Sequence, residues 1–213
     1  MQSYQSVFLQ FALHSEVLKF GQFTLKSGRQ SPYFFNLGKI SSGAAMRELG
    51  RAYAQALAAS GIDYDMLFGP AYKGIPLVTT LAVALAEAGR DVPYAYNRKE
   101  AKDHGEGGML VGAKPAGRVV IVDDVLTAGT ALREAVGLLR SAGAQPVAAI
   151  IALDRQEKGA SGRSAVQEME HDAGVRVIPL VTLKDVLAYL GQGRADEATL
   201  AAMRAYQAQH CVA

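Results

Sequence analysis

Short, unbroken apolar runs that alternate with stretches of helical periodicity constrain this chain more than any other feature. The runs are Met66 to Phe68, Val92 to Tyr96, Val119 to Val122 and Val147 to Leu153. A half-exposed strand alternates apolar with polar residues; these do not, so both of their faces need cover. Between them lie helical stretches from Ile75 to Ala88, ended by Gly89, and from about Thr130 to Ser141, stopped by Gly143. Short strands joined by helices of about a dozen residues predict an α/β fold with an open, mostly parallel twisted sheet and helices on both faces.

The flanks add to this core. Val7, Phe8 and Phe11 recur at helical spacing within residues 3 to 13, after a candidate cap at Ser3. Phe20 to Leu37 holds aromatics, Gly21, Gly28 and Pro32 in short extended pieces, which predicts a small N-terminal hood of helix and short strands over residues 1–40. Ser42 opens a helix that puts Met46, Leu49, Tyr53, Ala56 and Leu57 on one face, with Gly61 where a C-terminal cap belongs. Past the last run come a strand near Val175 to Leu180, a helix opened by the Thr182 and Asp185 pair, and an Ala-rich helix. No repeat or linker divides the chain, so residues 1–213 are expected to form one domain.

Composition narrows the function classes. Half the residues are hydrophobic and 20% charged, enough apolar surface for a core and too little charge for a disordered chain. The net charge of +2 does not suggest a protein that coats a nucleic acid. The lone Cys211 supports neither a disulfide framework nor a cysteine zinc site, and fits a reducing cytoplasm. Residues 1 to 13 lack the basic start of a signal peptide, and no apolar run approaches the ~20 residues that span a bilayer. No membrane association is expected.

In open parallel sheets ligands bind beyond the carboxyl ends of the strands. Three such junctions stand out. After Val119 to Val122 come Asp123, Asp124, Val125, Leu126, Thr127, Ala128, Gly129, Thr130 and Ala131: two adjacent carboxylates, then a small-residue turn into a helix. The turn offers backbone N–H groups and two hydroxyls, and Gly129 allows close approach, which suits a phosphate monoester. Beside it the carboxylates make sense as acceptors for sugar hydroxyls or as oxygen ligands for Mg²⁺. One competing reading makes them mere helix caps. Another, the Mg²⁺ strand of a P-loop nucleotidase, lacks its G-x-x-x-x-G-K-[ST] partner.

The second junction, Gly69-Pro70-Ala71-Tyr72-Lys73-Gly74, sets one cation among residues that constrain the backbone at a helix start, as a pyrophosphate loop or as an ordinary turn. The third, 96–108, gathers Arg98, Lys99, Lys102 and His104 before Gly105, Gly107 and Gly108. It reads as a solvated hairpin, or as a mobile flap over residues 98–112 that closes on a polyanion.

Residues 119 to 131 resemble, at every position, the phosphoribosyl pyrophosphate (PRPP) motif of the type I phosphoribosyltransferases, and the second junction resembles their pyrophosphate loop. The resemblance implies transfer of a phosphoribosyl group from PRPP to a nitrogenous base with Mg²⁺ as cofactor. It implies PRPP contacts from Lys26, Tyr72, Lys73, Arg98, Lys99, Lys102, His104 and the run Asp123 to Ala131, with Lys102, Asp123 and Asp124 most important to turnover. A non-proline cis peptide at Ala71-Tyr72 is implied too.

Phe20 to Asn36, together with the flap, resemble the orotate-using members of that family over essentially the whole chain. By that likeness Lys26, Phe34, Phe35, Thr127 and Arg155 border orotate, residues 1–40 form a base-binding hood, and a homodimer shares its flaps between subunits. Arg155 also has a physical case, because it follows a strand at the ligand edge and a guanidinium can grip the orotate carboxylate. Phosphoribosyl transfer to another base, or a PRPP-sensing regulator that binds nucleic acid, are the alternatives. No helix-turn-helix segment speaks for the latter.

Overall fold

The computed structural model describes residues 1–25, 28–102, 108–126 and 129–212. The chain starts with helix α1 (Ser3–His14), the antiparallel pair β1 (Leu18–Thr24) and β2 (Gln30–Phe35), and helix α2 (Gly43–Ala59). Then follow β3 (Met66–Gly69), α3 (Gly74–Glu87), β4 (Tyr94–Lys102), β5 (Gly108–Gly112), β6 (Arg118–Val122) and α4 (Thr130–Ser141). The last elements are β7 (Gln145–Asp154), α5 (Ala165–Ala173), β8 (Arg176–Thr182), α6 (Leu183–Leu190) and α7 (Glu197–His210). Six strands form one sheet in the order β5-β4-β3-β6-β7-β8, parallel except for the edge strand β5.

The apolar runs are buried on both sides, as expected. On β6, Val120 and Val122 face one core while Val119 and Ile121 face the other. On β7, Ala148, Ile150 and Ala152 divide from Ala149 and Ile151 in the same way. Phe8 and Leu9 of α1, Leu49 and Tyr53 of α2, Leu77 and Leu81 of α3, Val186 of α6 and Met203 of α7 cover the first face. Leu132, Val136 and Leu139 of α4 and Met169 of α5 cover the second. Each fully buried Val or Leu contributes about 1.5–3 kcal/mol, so this double layer fixes the sheet that carries the site. Among the described residues, no helix is long and apolar enough to cross a membrane.

Three local expectations change. Gln2, not Ser3, caps α1, through a reciprocal pairing with Gln5. The strand expected over Val92 to Tyr96 starts at Tyr94 and continues to Lys102. It can do so because it projects with the edge strand β5, where charged side chains reach water. Its pairing of Lys102 with Gly108 makes the third junction a hairpin, with 103–107 outside the described residues. Helix α5 was not anticipated. Ser164 and Gln167 cap it reciprocally, but it is only nine residues long and fully buries only Met169.

Candidate active site

The ends of β3, β4, β6 and β7 bring the three junctions together. Beyond β6 the ladder continues into the acidic pair: Asp123 N–H donates to Ile150 O at 3.0 Å, and Ala152 N–H donates to Asp124 O at 2.8 Å. From α2, the Tyr53 hydroxyl donates to the Asp123 carbonyl at 2.8 Å. Each carboxylate is steered by its own backbone, since Asp123 Oδ1 accepts from Asp124 N–H at 2.9 Å and Asp124 Oδ1 from Val125 N–H at 2.8 Å. Neither caps α4. That helix begins at Gly129, in the left-handed region at φ 72°, with no side-chain cap. Among the described residues neither carboxylate bonds to the start of this helix, which exposed Thr130 and Ala131 open.

Burial of Asp123, opposed by the hydrogen bond from Asp124 N–H, pushes its carboxyl up to about 6. A carboxylate kept half out of water and given no cationic hydrogen-bond partner is primed for a ligand that donates hydrogen bonds.

The pyrophosphate loop faces this pair. Lys73 Nζ is paired with Asp124 Oδ2, joining the end of β3 to the end of β6. The loop packs backbone on backbone: a Cβ on Gly69 would lie 2.3 Å from Gly74 O, and one on Gly74 2.8 Å from Val122 O. The Ala71-Tyr72 peptide is cis, as the family likeness implied. Asn97 Oδ1 on β4 accepts from Ala71 N–H at 2.9 Å, and Lys99 Nζ stands 4.9 Å from the centre of the exposed Tyr72 ring. Loop and hairpin thus border a cleft of about 290 Å³ lined by Tyr72, Ile75, Tyr96, Asn97, Arg98, Lys99 and Glu100.

On the other side β7 delivers Arg155, two residues after Leu153, which bridges to Val125 of the acidic turn. The guanidinium lies 4.5 Å from the centre of the Tyr33 ring, on the hood. On β2, Tyr33 is buried, Phe34 is exposed and stacks on Phe23 with ring centres 5.5 Å apart, and Phe35 packs against the core. Lys26, His104, Thr127 and Ala128 lie outside the described residues, and Lys102 is placed only as the end of β4. Sequence reading missed Asn97 as a loop anchor and Tyr53 as a prop of the acidic pair. The tyrosine's place on the apolar face of α2 concealed its hydroxyl's role.

Among the described residues, no three His, Cys, Asp or Glu side chains cluster as a metal cage. Two adjacent carboxylates at a phosphate-type turn still fit a Mg²⁺ ion that keeps water and substrate oxygens as its other ligands.

A sheet whose strand ends carry a pyrophosphate-type loop, an acidic pair and an uncapped helix start defines the phosphoribosyltransferase class, and the phosphoribosyl transferase domain family matches residues 38–178. The chain is 57% identical to orotate phosphoribosyltransferase of Cronobacter sakazakii over the full length of both, and 55% identical to that of Cellvibrio japonicus over 100% of this chain and 99% of its relative. The crystal structure of orotate phosphoribosyltransferase from Francisella tularensis superposes with a TM-score of 0.88 at 39% identity, covering 97% of this chain and 100% of that one. The chain belongs to the orotate phosphoribosyltransferase family.

Proposed function

We propose that the protein transfers the phosphoribosyl group of PRPP to orotate, giving orotidine 5′-monophosphate and pyrophosphate, in pyrimidine biosynthesis in the cytoplasm. The observation that carries this reading is the Lys73–Asp124 pair: the loop that suits a pyrophosphate and the carboxylates that suit a ribose meet at one point. A bond forms from a ring nitrogen of orotate to the anomeric carbon as the bond from that carbon to pyrophosphate breaks; pyrophosphate leaves with the bonding pair, and the ring nitrogen's proton is lost to pyrophosphate or water. The transition state is oxocarbenium-like, so positioning and charge stabilisation supply most of the acceleration.

In this reading Asp123 and Asp124 accept hydrogen bonds from the ribose hydroxyls, and the turn through Gly129 and Thr130, with Thr127 and Ala128, receives the 5′-phosphate. Lys73 leaves Asp124 for the pyrophosphate, flanked by Tyr72. Arg155, Lys26, Thr127 and the backbone of Phe34 and Phe35 border orotate. Mg²⁺ bound with PRPP would supply charge neutralisation for the pyrophosphate, and Asp123 and Asp124 would be the carboxylates able to hold it.

Residues 98–112 act as the flap and residues 1–40 as the base-binding hood. Arg98, Lys99, Lys102 and His104 close over the leaving group and exclude the water that would otherwise capture the anomeric carbon. In a homodimer the flap serves the neighbouring subunit. Lys102→Ala should lower turnover roughly a hundredfold, the usual loss for one donor to a transition-state oxyanion, and change PRPP affinity far less. Mixing Lys102→Ala with Asp124→Asn protein under subunit exchange should restore activity, because hybrid dimers hold one intact site. A flat mixing curve with exchange verified refutes the crossing flap.

The reaction itself is tested by the ultraviolet absorbance of orotate on mixing with PRPP and Mg²⁺, alongside uracil and a purine base. Loss of the orotate absorbance is expected; turnover of uracil or the purine with orotate untouched overturns the base assignment.

A further inference from the structure

One half-buried carboxylate on the base side of the site serves none of the roles assigned above. Glu157 follows Arg155 by two residues, and its Oε1 accepts from Arg155 Nε at 2.7 Å and lies 2.6 Å from Nη2. The same oxygen accepts the Tyr206 hydroxyl of α7 at 2.5 Å, while Oε2 accepts from Arg29 Nη1 at 3.3 Å. Hood, sheet end and C-terminal helix therefore converge on a single side chain.

The turn that aims it is held from several sides. Gln156, between the two partners, takes a left-handed φ of 55°, a backbone that a non-glycine residue keeps only where its surroundings hold it. Asp154 Oδ1 accepts from its N–H at 2.8 Å, Val212 N–H donates to its carbonyl at 2.8 Å, and Lys184 N–H donates to its Oε1 at 3.1 Å. Cys211 Sγ reaches the Arg155 carbonyl at 3.5 Å. Arg155 and Glu157 are thus fixed relative to each other before any ligand arrives.

The consequence for Arg155 is geometric. Its side chain is 13% exposed, with the Tyr33 ring against its face and Glu157 on its Nε edge. Glu157, with the Tyr206 hydroxyl on the same oxygen, occupies the Nε and Nη2 side of the group. The guanidinium is left with one end to present. Arg29, meanwhile, closes the tip of the hood hairpin: Leu25 N–H donates to Arg29 O and Gly28 N–H to Leu25 O, both at 2.9 Å. The Arg29–Glu157 contact ties this hairpin to Arg155.

We propose that Glu157 is a positioning residue for the base: it sets the direction of Arg155 and ties Arg29 of the hood to it, so that the remaining end of the Arg155 guanidinium addresses the orotate carboxylate. Tyr206 carries this restraint from α7. The proposal rests on the orotate reading above. Without the carboxylate two guanidinium groups would share the pocket uncompensated, and each would turn away from the other or toward water.

Steady-state kinetics with each substrate varied separately test it. Glu157→Gln should raise the KM for orotate about tenfold or more, the usual effect of a lost charge-assisted hydrogen bond, with the KM for PRPP within about twofold of wild type. Tyr206→Phe, which keeps the Arg155–Glu157 pair and the shape of the core, should raise the orotate KM about two- to threefold and serves if Glu157→Gln does not fold. Arg155→Ala combined with Glu157→Gln should be no worse for orotate than Arg155→Ala alone, because Glu157 acts through the arginine. Equal changes in both KM values, an orotate KM that does not move, or independent effects in the double variant overturn the positioning role. Wild-type protein that uses another base instead overturns the base assignment and this role with it, and is recognised before any variant is read.

Discussion

Gly74→Ala puts the close packing of the pyrophosphate loop to a test with a sign that is easy to get wrong. Gly74 opens α3, and replacing a helical glycine by alanine ordinarily stabilises a protein by about 0.5–1 kcal/mol. Here the new Cβ would lie 2.6 Å from Pro70 Cδ, 2.8 Å from Val122 O and 2.9 Å from Gly69 C, all of them groups fixed by the backbone. Ordinary carbon contacts are about 3.5–4 Å, so roughly an ångström must be found by moving the loop away from the end of β6. Overpacking of this kind costs about 1–3 kcal/mol, which for a chain of this size lowers Tm by about 2–10 °C. The displacement also separates Lys73 from Asp124, so the KM for PRPP should rise more than that for orotate. Gly137 on α4 is the matched control: a Cβ there meets nothing within 4 Å, and Gly137→Ala should raise Tm by a degree or more. Melting curves and PRPP kinetics of the two variants read both effects. A Gly74→Ala protein that melts at or above wild type with an unchanged PRPP KM refutes the reasoning.

The raised Asp123 carboxyl has two consequences. In the proposed reading its ionised form accepts from the ribose, so the KM for PRPP should rise as pH falls through about 6, and Asp123→Asn should abolish that limb of the profile. Because folding raises this pKa, the folded protein holds the proton more tightly than the unfolded chain, and stability is lost as pH rises from about 4 to about 6. Asp123→Asn should therefore melt later than wild type at pH 7.5, and its advantage should vanish by pH 4; an earlier melt at pH 7.5 contradicts this. Asp124→Asn should weaken PRPP binding with little change in Tm, since its partner Lys73 is 61% exposed and such pairs contribute at most about 1 kcal/mol. Cys211 is buried, and burial pushes its thiol up to about 11, so a disulfide reagent at pH 8 should label it slowly until urea unfolds the chain; prompt labelling of native protein would show the C-terminal packing to be wrong.

Most of the fold was legible because burial on both faces leaves a pattern that survives without context. Val119 to Val122 could hardly be anything but an inner strand, and Gly61, Gly89 and Gly143 all take the left-handed conformations that end their helices. The acidic pair and its turn were legible for a related reason, since they follow a buried strand where solvent-facing residues need a purpose. What escaped the sequence was set by tertiary partners. The strand at Tyr94 runs on through Arg98 and Lys99 because β5 pairs with it, and helix α5 forms around one buried methionine and a capping pair. Glu157 was not singled out in the sequence, because Arg29 and Tyr206, which give it meaning, lie 128 and 49 residues away.

Product counting tests the central claim most directly. Purified protein is given equal amounts of orotate and PRPP with Mg²⁺, and the products are separated and quantified over time. The account predicts one orotidine 5′-monophosphate and one pyrophosphate for each orotate consumed, with no ribose 5-phosphate formed from PRPP while orotate is present. Pyrophosphate released with orotate left intact, or a phosphoribosyl product formed only when another base is supplied, would contradict it.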